Sequence, residues 1–79
     1  MTREELINLA VKVLAEEFEA EQEQLTEDAL IKETLELDSL SLVDFIAVID
    51  HTFKVKIPND DLPKVKTFGQ LYDYLEARM

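Results

Sequence analysis

The stretch that decides the fold is residues 39–53, which read SLSLVDFIAVIDHTF. Large apolar side chains recur there at the spacing of one face of an α-helix, which predicts a helix that turns this face to the core. The core-facing positions are Leu42, Phe45, Ile46, Ile49 and Phe53. Asp38 or Ser39 is the expected N-cap, and Pro58 prevents the helix from continuing along the chain.

Two other amphipathic helices flank this stretch. The first covers about residues 3–18, where Thr2 and Glu5 form a capping box, and the last covers about residues 68–78, where Thr67 and Gln70 form another. The side chains expected to face the core are Leu6, Leu9, Ala10, Val13, Leu14 and Phe18 in the first helix, and Phe68, Leu71, Tyr72 and Leu75 in the last.

The segments between the helices are less regular. Residues 19–24 have no apolar face and either extend the first helix or fray, and the rest of 19–38 is expected to be a loop with one helical turn near residues 26–33. Residues 59–63 predict a short capped helical turn. The expected fold is all-α, a small four-helix bundle of three main helices and one short helix, forming a single domain over residues 1–79. The loop is expected to be pinned to the core by Leu25, Leu30, Ile31, Leu35 and Leu37.

The charge is strongly acidic and unevenly distributed. The net charge is −10, and residues 1–50 contain 14 acidic but only 3 basic residues. The negative electrostatic field of these residues repels nucleic acid, whose binding requires Lys and Arg side chains next to the phosphates. The charge therefore argues against a helix-turn-helix DNA-binding protein. It favours partners with basic docking surfaces. An acidic surface also keeps small proteins in solution, so charge alone does not establish docking.

Composition excludes several kinds of site. The chain has no cysteine, one histidine and one glycine, which argues against disulfides, a structural zinc site and a glycine-rich phosphate loop. No apolar run approaches the roughly 18 residues of a transmembrane helix. The first residues are polar and acidic, unlike a signal peptide. We therefore expect a cytoplasmic monomer without a metal site and without membrane insertion.

Residues 35–43, LELDSLSLV, resemble the attachment motif of the acyl and peptidyl carrier proteins, Leu-Gly-x-Asp-Ser-Leu followed by an amphipathic helix. Phe53 and residues 57–60 are similar to the family's Phe…Ile-Pro-x-Asp/Glu stretch, and their spacing from Ser39 also fits. The resemblance covers nearly the whole chain. Glu36 replaces the family's usual Gly, so we expect the turn to avoid a conformation that only Gly tolerates.

The resemblance implies a carrier that catalyses nothing itself. Ser39 would bear a covalent 4′-phosphopantetheine arm, delivered from coenzyme A by a phosphopantetheinyl transferase (a holo-acyl-carrier-protein synthase). Acyl intermediates would be held on the arm as thioesters for fatty acid synthesis or for related polyketide or aryl-lipid synthesis. Asp38 and Leu40 adjoin the attachment point, and Asp38 would serve either as a cap or in recognition and metal positioning during transfer of the arm.

Physical chemistry supports the same serine independently. A serine at a helix N-terminus is exposed and lies beside unpaired backbone N–H groups, which together with the helix dipole stabilise an anionic phosphodiester. No base adjoins Ser39 in sequence, and His51 is about three turns away. Ser39 is therefore not expected to be a catalytic nucleophile in its own right. Ser41 matches no position of the motif.

Acyl-transferring and chain-elongating enzymes would dock on the helix that follows the serine. Leu40, Val43 and Ala47 form an apolar line beside Asp44 and Asp50. This line either belongs to a broad core face or forms an exposed docking patch. The resemblance also implies an acyl-chain pocket, which would be lined by Phe45, Ile49, Ile57 and Leu62.

Two alternatives remain at this point. One is a peptidyl or aminoacyl carrier protein of nonribosomal synthesis. The other is an acidic helical adaptor that carries no modification.

Overall fold

Three long helices form the body of the computed structural model, which describes all of residues 1–79. Helix α1 covers Arg3–Glu17, α3 covers Ser39–Phe53 and α4 covers Phe68–Arg78, and α1 packs against both of the others. A short helix α2 covers Ile31–Thr34, and 3₁₀ turns cover Gln22–Gln24 and Leu62–Lys64. The all-α prediction and the bounds of the three main helices are confirmed.

Helices α1 and α4 begin at the predicted capping boxes. The Thr2 hydroxyl accepts a hydrogen bond from the Glu5 N–H at 3.2 Å, and the Glu5 carboxylate accepts from the Thr2 N–H at 3.3 Å. Thr67 and Gln70 repeat this pairing, with both distances at 3.2 Å. Each box satisfies backbone donors that the first helical turn leaves unpaired, so these two boundaries follow from local sequence.

The core lies between the three long helices and is entirely apolar apart from the hydroxyl of Tyr72. All four predicted core residues of α4 are buried, and α3 buries the apolar face expected of it, with Leu42 and Ile46 half-buried at its margin. The buried cluster consists of Leu6, Ala10, Leu14, Leu25, Ile31, Leu35, Phe45, Ile49, Phe53, Val55, Ile57, Val65, Phe68, Leu71, Tyr72 and Leu75. None of the helices combines the length and apolar character that a membrane crossing requires.

The segment between α1 and α3 differs in detail from the prediction. Helix α1 ends at Glu17 rather than extending, and the short helix forms at Ile31–Thr34, later than the expected 26–33. Leu25, Ile31 and Leu35 are buried as expected, Leu37 is half-buried, but Leu30 is 42% exposed. A backbone pairing explains the position of Leu30, because it forms an isolated antiparallel bridge with Thr67 at the start of α4.

Gly69 allows the loop to approach α4 closely. Its N–H donates to the carbonyl of Glu27 at 3.0 Å, and a Cβ at this position would lie 3.1 Å from the same oxygen. Two flanking bonds join the same segments, from Ile31 N–H to Lys66 and from Phe68 N–H to Ala29. The glycine therefore relieves crowding at a tertiary contact that its sequence neighbours do not reveal.

The predicted capped turn at residues 59–63 is wrong in its bounds and its cap. The helical turn is 3₁₀ and covers Leu62–Lys64, and no side chain caps it. Asp61 precedes the turn, but its carboxylate accepts a hydrogen bond from the Tyr74 hydroxyl instead of from a backbone N–H. A long-range partner thus replaces the local cap that the sequence suggested.

Candidate functional site

Asp38, and not Ser39, is the N-cap of α3. Its backbone is extended, and its carboxylate oxygen Oδ1 accepts a hydrogen bond from the Ser41 N–H at 2.8 Å. The carbonyl of Asp38 accepts the first helical bond, from the Leu42 N–H at 2.9 Å. Ser39 is consequently the first residue of the helix. Its side chain is exposed, and its hydroxyl makes no hydrogen bond within the chain.

The environment of Ser39 favours an anion. The Ser39 N–H has no hydrogen-bond partner in the chain, and the positive end of the α3 dipole lies at the same point. Hydrogen bonds from Ser41, first from its backbone N–H and then from its hydroxyl, lower the pKa of the Asp38 carboxyl below its ordinary value. A phosphodiester on Ser39 would meet the unpaired N–H of Ser39, whereas the N–H of Ser41 is already engaged by Asp38.

Glu36 does not avoid the conformation that favours glycine. Its φ is 52°, in the left-handed region, so the expectation that this turn would avoid it is wrong. The reason is the end of α2, where the N–H of Leu37 reaches back to the carbonyl of Lys32 at 2.9 Å. This bond closes a Schellman motif, which requires a left-handed residue at the position of Glu36. The motif positions the residues that lead into Asp38 and Ser39.

The apolar line on α3 is an exposed patch and not part of the core. Leu40 is 81% exposed and Val43 is 64% exposed, and Ala47 is also exposed. Asp44 lies on the surface beside them, whereas Asp50 is half-buried. The first of these residues directly follows Ser39, so an enzyme that contacts the patch would be close to this serine.

A cavity of about 490 Å³ lies between α2, α3 and the segment that contains the second 3₁₀ turn. Phe45 and Leu62, both predicted to line an acyl pocket, contribute to its walls. Ile49 and Ile57 do not line it, so the prediction for these two residues is wrong: both are packed into the core cluster away from its walls. The complete lining is Leu30, Ile31, Lys32, Glu33, Leu42, Phe45, Leu62, Pro63, Val65 and Lys66.

Sequence reasoning missed most of this lining. Residues 30–33 and 62–66 are far apart in the chain, and only folding brings them to the same side of α3. Leu42 was expected in the core but is half-buried at the cavity. It lies three residues after Ser39, and residues at this spacing lie on the same side of a helix. The cavity therefore begins about one turn from the serine.

Comparison with known proteins agrees with the resemblance to the carrier proteins that the sequence motif indicated. The family model described as "Phosphopantetheine attachment site" matches residues 8–75. The acyl carrier protein of Lactobacillus acidophilus is 32% identical over 98% of this chain and 96% of its own length, and that of Thermotoga maritima is 32% identical over 99% and 96%. The solved structure of the acyl carrier protein from Enterococcus faecalis matches at a TM-score of 0.81, with 32% identity and full coverage of both chains. The family uses a covalently attached 4′-phosphopantetheine, and this chain belongs to the acyl carrier proteins.

Proposed function

We propose that this chain carries acyl groups as thioesters on a 4′-phosphopantetheine arm attached to the Oγ of Ser39. The pathway would be fatty acid synthesis or a related polyketide or aryl-lipid synthesis. The observation that carries the proposal is the position of Ser39: an exposed, unpartnered hydroxyl at the first residue of α3, beside an unpaired backbone N–H. These features fit a phosphodiester, which needs access from solvent and donors for its charge.

The chain does not activate this hydroxyl itself. Asp38 is occupied by the cap, and His51 lies 12 residues further along α3, about 18 Å along the axis. A separate transferase must therefore supply the base that removes the proton of Ser39. The arm supplies the thiol for thioester chemistry, because the chain has no cysteine.

The exposed patch supports docking of partner enzymes on α3. Isolated apolar residues are common on surfaces, but Leu40, Val43 and Ala47 adjoin one another at helical spacing and lie next to Asp44. Apolar contacts with a charged border are typical of protein interfaces. A partner with a basic rim around an apolar centre would match this surface, and the acidic field of residues 1–50 would speed its approach.

The cavity supports partial shelter of the carried chain. Its walls are mostly apolar, and its volume is within the range of small-molecule pockets, roughly 300–1,000 Å³. An acyl chain that enters beside Leu42 would contact Phe45 and Leu62 and would leave solvent.

Intact mass spectrometry tests the attachment. Incubation with coenzyme A and a broad-specificity phosphopantetheinyl transferase should add one arm to the wild type. Ser39→Ala should remain unmodified, whereas the control Ser41→Ala, which changes the neighbouring serine on the same turn, should gain one arm. A wild type that stays unmodified would favour the adaptor alternative, and a modified Ser39→Ala would place the arm elsewhere.

A further inference from the structure

Asp61 joins the segment after α3 to the last helix. Its Oδ2 accepts a hydrogen bond from the Tyr74 hydroxyl at 2.7 Å and lies 3.6 Å from the Arg78 guanidinium, while its Oδ1 is 3.3 Å from the Lys64 ammonium. The Asp61 side chain is only 18% exposed, so solvent screens these contacts less than it screens an exposed ion pair.

Arg78 completes the arrangement from the end of α4. Its guanidinium carbon lies 3.6 Å from the centre of the Tyr74 ring, a cation–π distance. The same arginine therefore contacts both partners of the hydrogen bond, the ring by stacking and the carboxylate by charge. We call Asp61, Tyr74 and Arg78 the latch.

The latch lies directly beside one wall of the cavity. Leu62, Pro63 and Val65 follow Asp61 in the chain, and all three line the cavity. The backbone hydrogen bonds of residues 59–65 are all local: Asp61 to Pro58, Leu62 to Asn59, Lys64 to Asp61 and Val65 to Leu62. These bonds shape the segment but do not attach it to the bundle. Lys66, at the end of the segment, is tied to the bundle by the Ile31 N–H and by Gln70. Between Pro58 and Lys66, the side chain of Asp61 makes the polar attachment beside the apolar packing.

We propose that Asp61, Tyr74 and Arg78 are positioning residues that hold the Leu62–Val65 wall against the bundle and thereby set how firmly the cavity retains an acyl chain. The part of this inference that concerns acyl retention rests on the proposed function. The part that concerns the wall does not, because it describes the unmodified chain.

The hydrogen bond between Tyr74 and Asp61 is strong enough to hold the wall in place. The Tyr74 hydroxyl donates to an ionised carboxylate, and such charge-assisted bonds are stronger than neutral ones. Loss of this donor leaves the Asp61 carboxylate with weaker partners and frees the wall to move away from α3. Local opening of this kind exposes backbone amides without unfolding the helices.

Amide hydrogen exchange of the unmodified protein tests the wall. Tyr74→Phe removes only the donor hydroxyl and keeps the ring under Arg78, and Asp61→Asn removes the charge as a second variant. We expect exchange at the amides of Leu62, Lys64 and Val65 to become roughly three- to tenfold faster in both variants. Tyr72→Phe is the matched control, because it removes a hydroxyl from the same helix that has no partner. Unchanged exchange in Tyr74→Phe, or an equal change in the control, would overturn the proposal.

Thioester lifetime tests retention. An octanoyl group is loaded on the arm, and hydroxylamine is added, whose nitrogen displaces the thiol from the thioester carbonyl. We expect cleavage roughly three- to tenfold faster in Tyr74→Phe than in the wild type, with Tyr72→Phe resembling the wild type. Equal lifetimes together with faster amide exchange would overturn the role in retention.

The two proposals fail in different ways. If the wild type accepts no arm at Ser39, the proposed function fails, but the exchange experiment on the unmodified chain still reports on the latch. If the arm attaches normally and amide exchange at residues 62–65 does not depend on Tyr74, the latch fails and the carrier function stands.

Discussion

At the scale of single residues, three positions adopt the left-handed backbone without being glycine: Glu19, Glu36 and Lys54. Glu19 and Glu36 occupy the same place in two Schellman motifs, since the Ala20 N–H bonds to the Ala15 carbonyl just as the Leu37 N–H bonds to the Lys32 carbonyl. Each such residue costs about 1–2 kcal/mol relative to a right-handed conformation. The helix ends require the geometry, so the chain retains it despite this cost.

Glycine at position 36 should therefore stabilise the protein. Glu36→Gly removes the steric cost but adds freedom to the unfolded chain, so we expect a net gain of about 0.5–1 kcal/mol in the free energy of unfolding. Urea denaturation measures this difference. The control is Glu33→Gly, which places glycine inside α2 at an ordinary backbone conformation and should lower stability by about 0.5–1 kcal/mol. A loss of stability in Glu36→Gly would contradict the explanation.

Tyr72 has a buried hydroxyl that forms no hydrogen bond. Its side chain is fully buried, and its oxygen has no hydrogen-bond partner. Burial first, and the charge of Glu27 second, raise the pKa of Tyr72 to about 12. An unpaired buried polar group costs roughly 1–3 kcal/mol.

Tyr72→Phe should raise the free energy of unfolding by about 1 kcal/mol at pH 7, because it removes this unpaired group. The raised pKa also predicts the behaviour in alkali. The unfolded tyrosine loses its proton near pH 10 and the folded one near pH 12, so the wild type loses stability as pH rises through this window, by about 2–3 kcal/mol. Denaturation measured from pH 9 to pH 12 should show a smaller decline in the variant. Parallel curves would count against the buried, unpaired hydroxyl.

At the scale of the element, the start of α3 depends on one carboxylate. Asp38 satisfies the Ser41 N–H, and the hydroxyl of Ser39 stays free of hydrogen bonds within the chain. If Ser39 had been the cap, its hydroxyl would be engaged by the backbone of its own helix. The division of roles between these neighbours keeps the proposed attachment point accessible.

The cap should be lost in acid. Because hydrogen bonding lowers the pKa of Asp38 below 3.8, the stabilisation by its charged form is present above the ordinary pKa and is lost as pH falls through the lowered value. The amide resonance of Ser41 should therefore titrate with a midpoint below pH 3.8. In Asp38→Asn, which caps without charge, this titration should disappear. A midpoint above 3.8 would show that the carboxylate is not held by the helix.

At the scale of the whole molecule, the range of the repulsion between acidic side chains can be compared with the size of the protein. The protein measures 28 × 28 × 21 Å, and residues 1–50 have a net charge of −11. The Debye length is about 30 Å at 0.01 M salt and about 10 Å at 0.1 M. At low salt the acidic side chains therefore repel one another across the entire fold, while at higher salt only close neighbours interact.

Salt should accordingly stabilise the folded state. We expect the melting temperature to rise between about 0.01 M and 0.1 M sodium chloride, because screening relieves this repulsion. The double variant Glu17→Gln/Glu23→Gln, which removes two exposed charges, should show a weaker dependence on salt. Lys12→Gln makes residues 1–50 more acidic and should show a stronger one. Calorimetry at matched pH measures all three, and a melting temperature that falls with salt would show that attractive pairs such as Arg3–Asp73, at 2.8 Å, dominate instead.

The sequence alone determined the three long helices, the capping boxes of α1 and α4 and the candidate serine at the start of α3, whereas the structure decided that Asp38 and not Ser39 caps α3. Those features rest on helical periodicity and on hydrogen bonds between residues three or four apart, such as Thr2 with Glu5 and Thr67 with Gln70. Local contacts of this kind are visible in a single sequence.

Only the tertiary structure decided the cavity, the latch and the exposure of the apolar line on α3. Leu30 meets Thr67, Glu27 meets Gly69 and Asp61 meets Tyr74 across separations of 13 residues or more, and no local pattern predicts these pairs. Leu40 and Val43 have the same apolar character as their buried neighbours, and they are exposed because the core covers only one side of α3. The chemistry of a side chain sets its preference for burial or for solvent. The packing of helices that are distant in sequence decides which apolar side chains are buried.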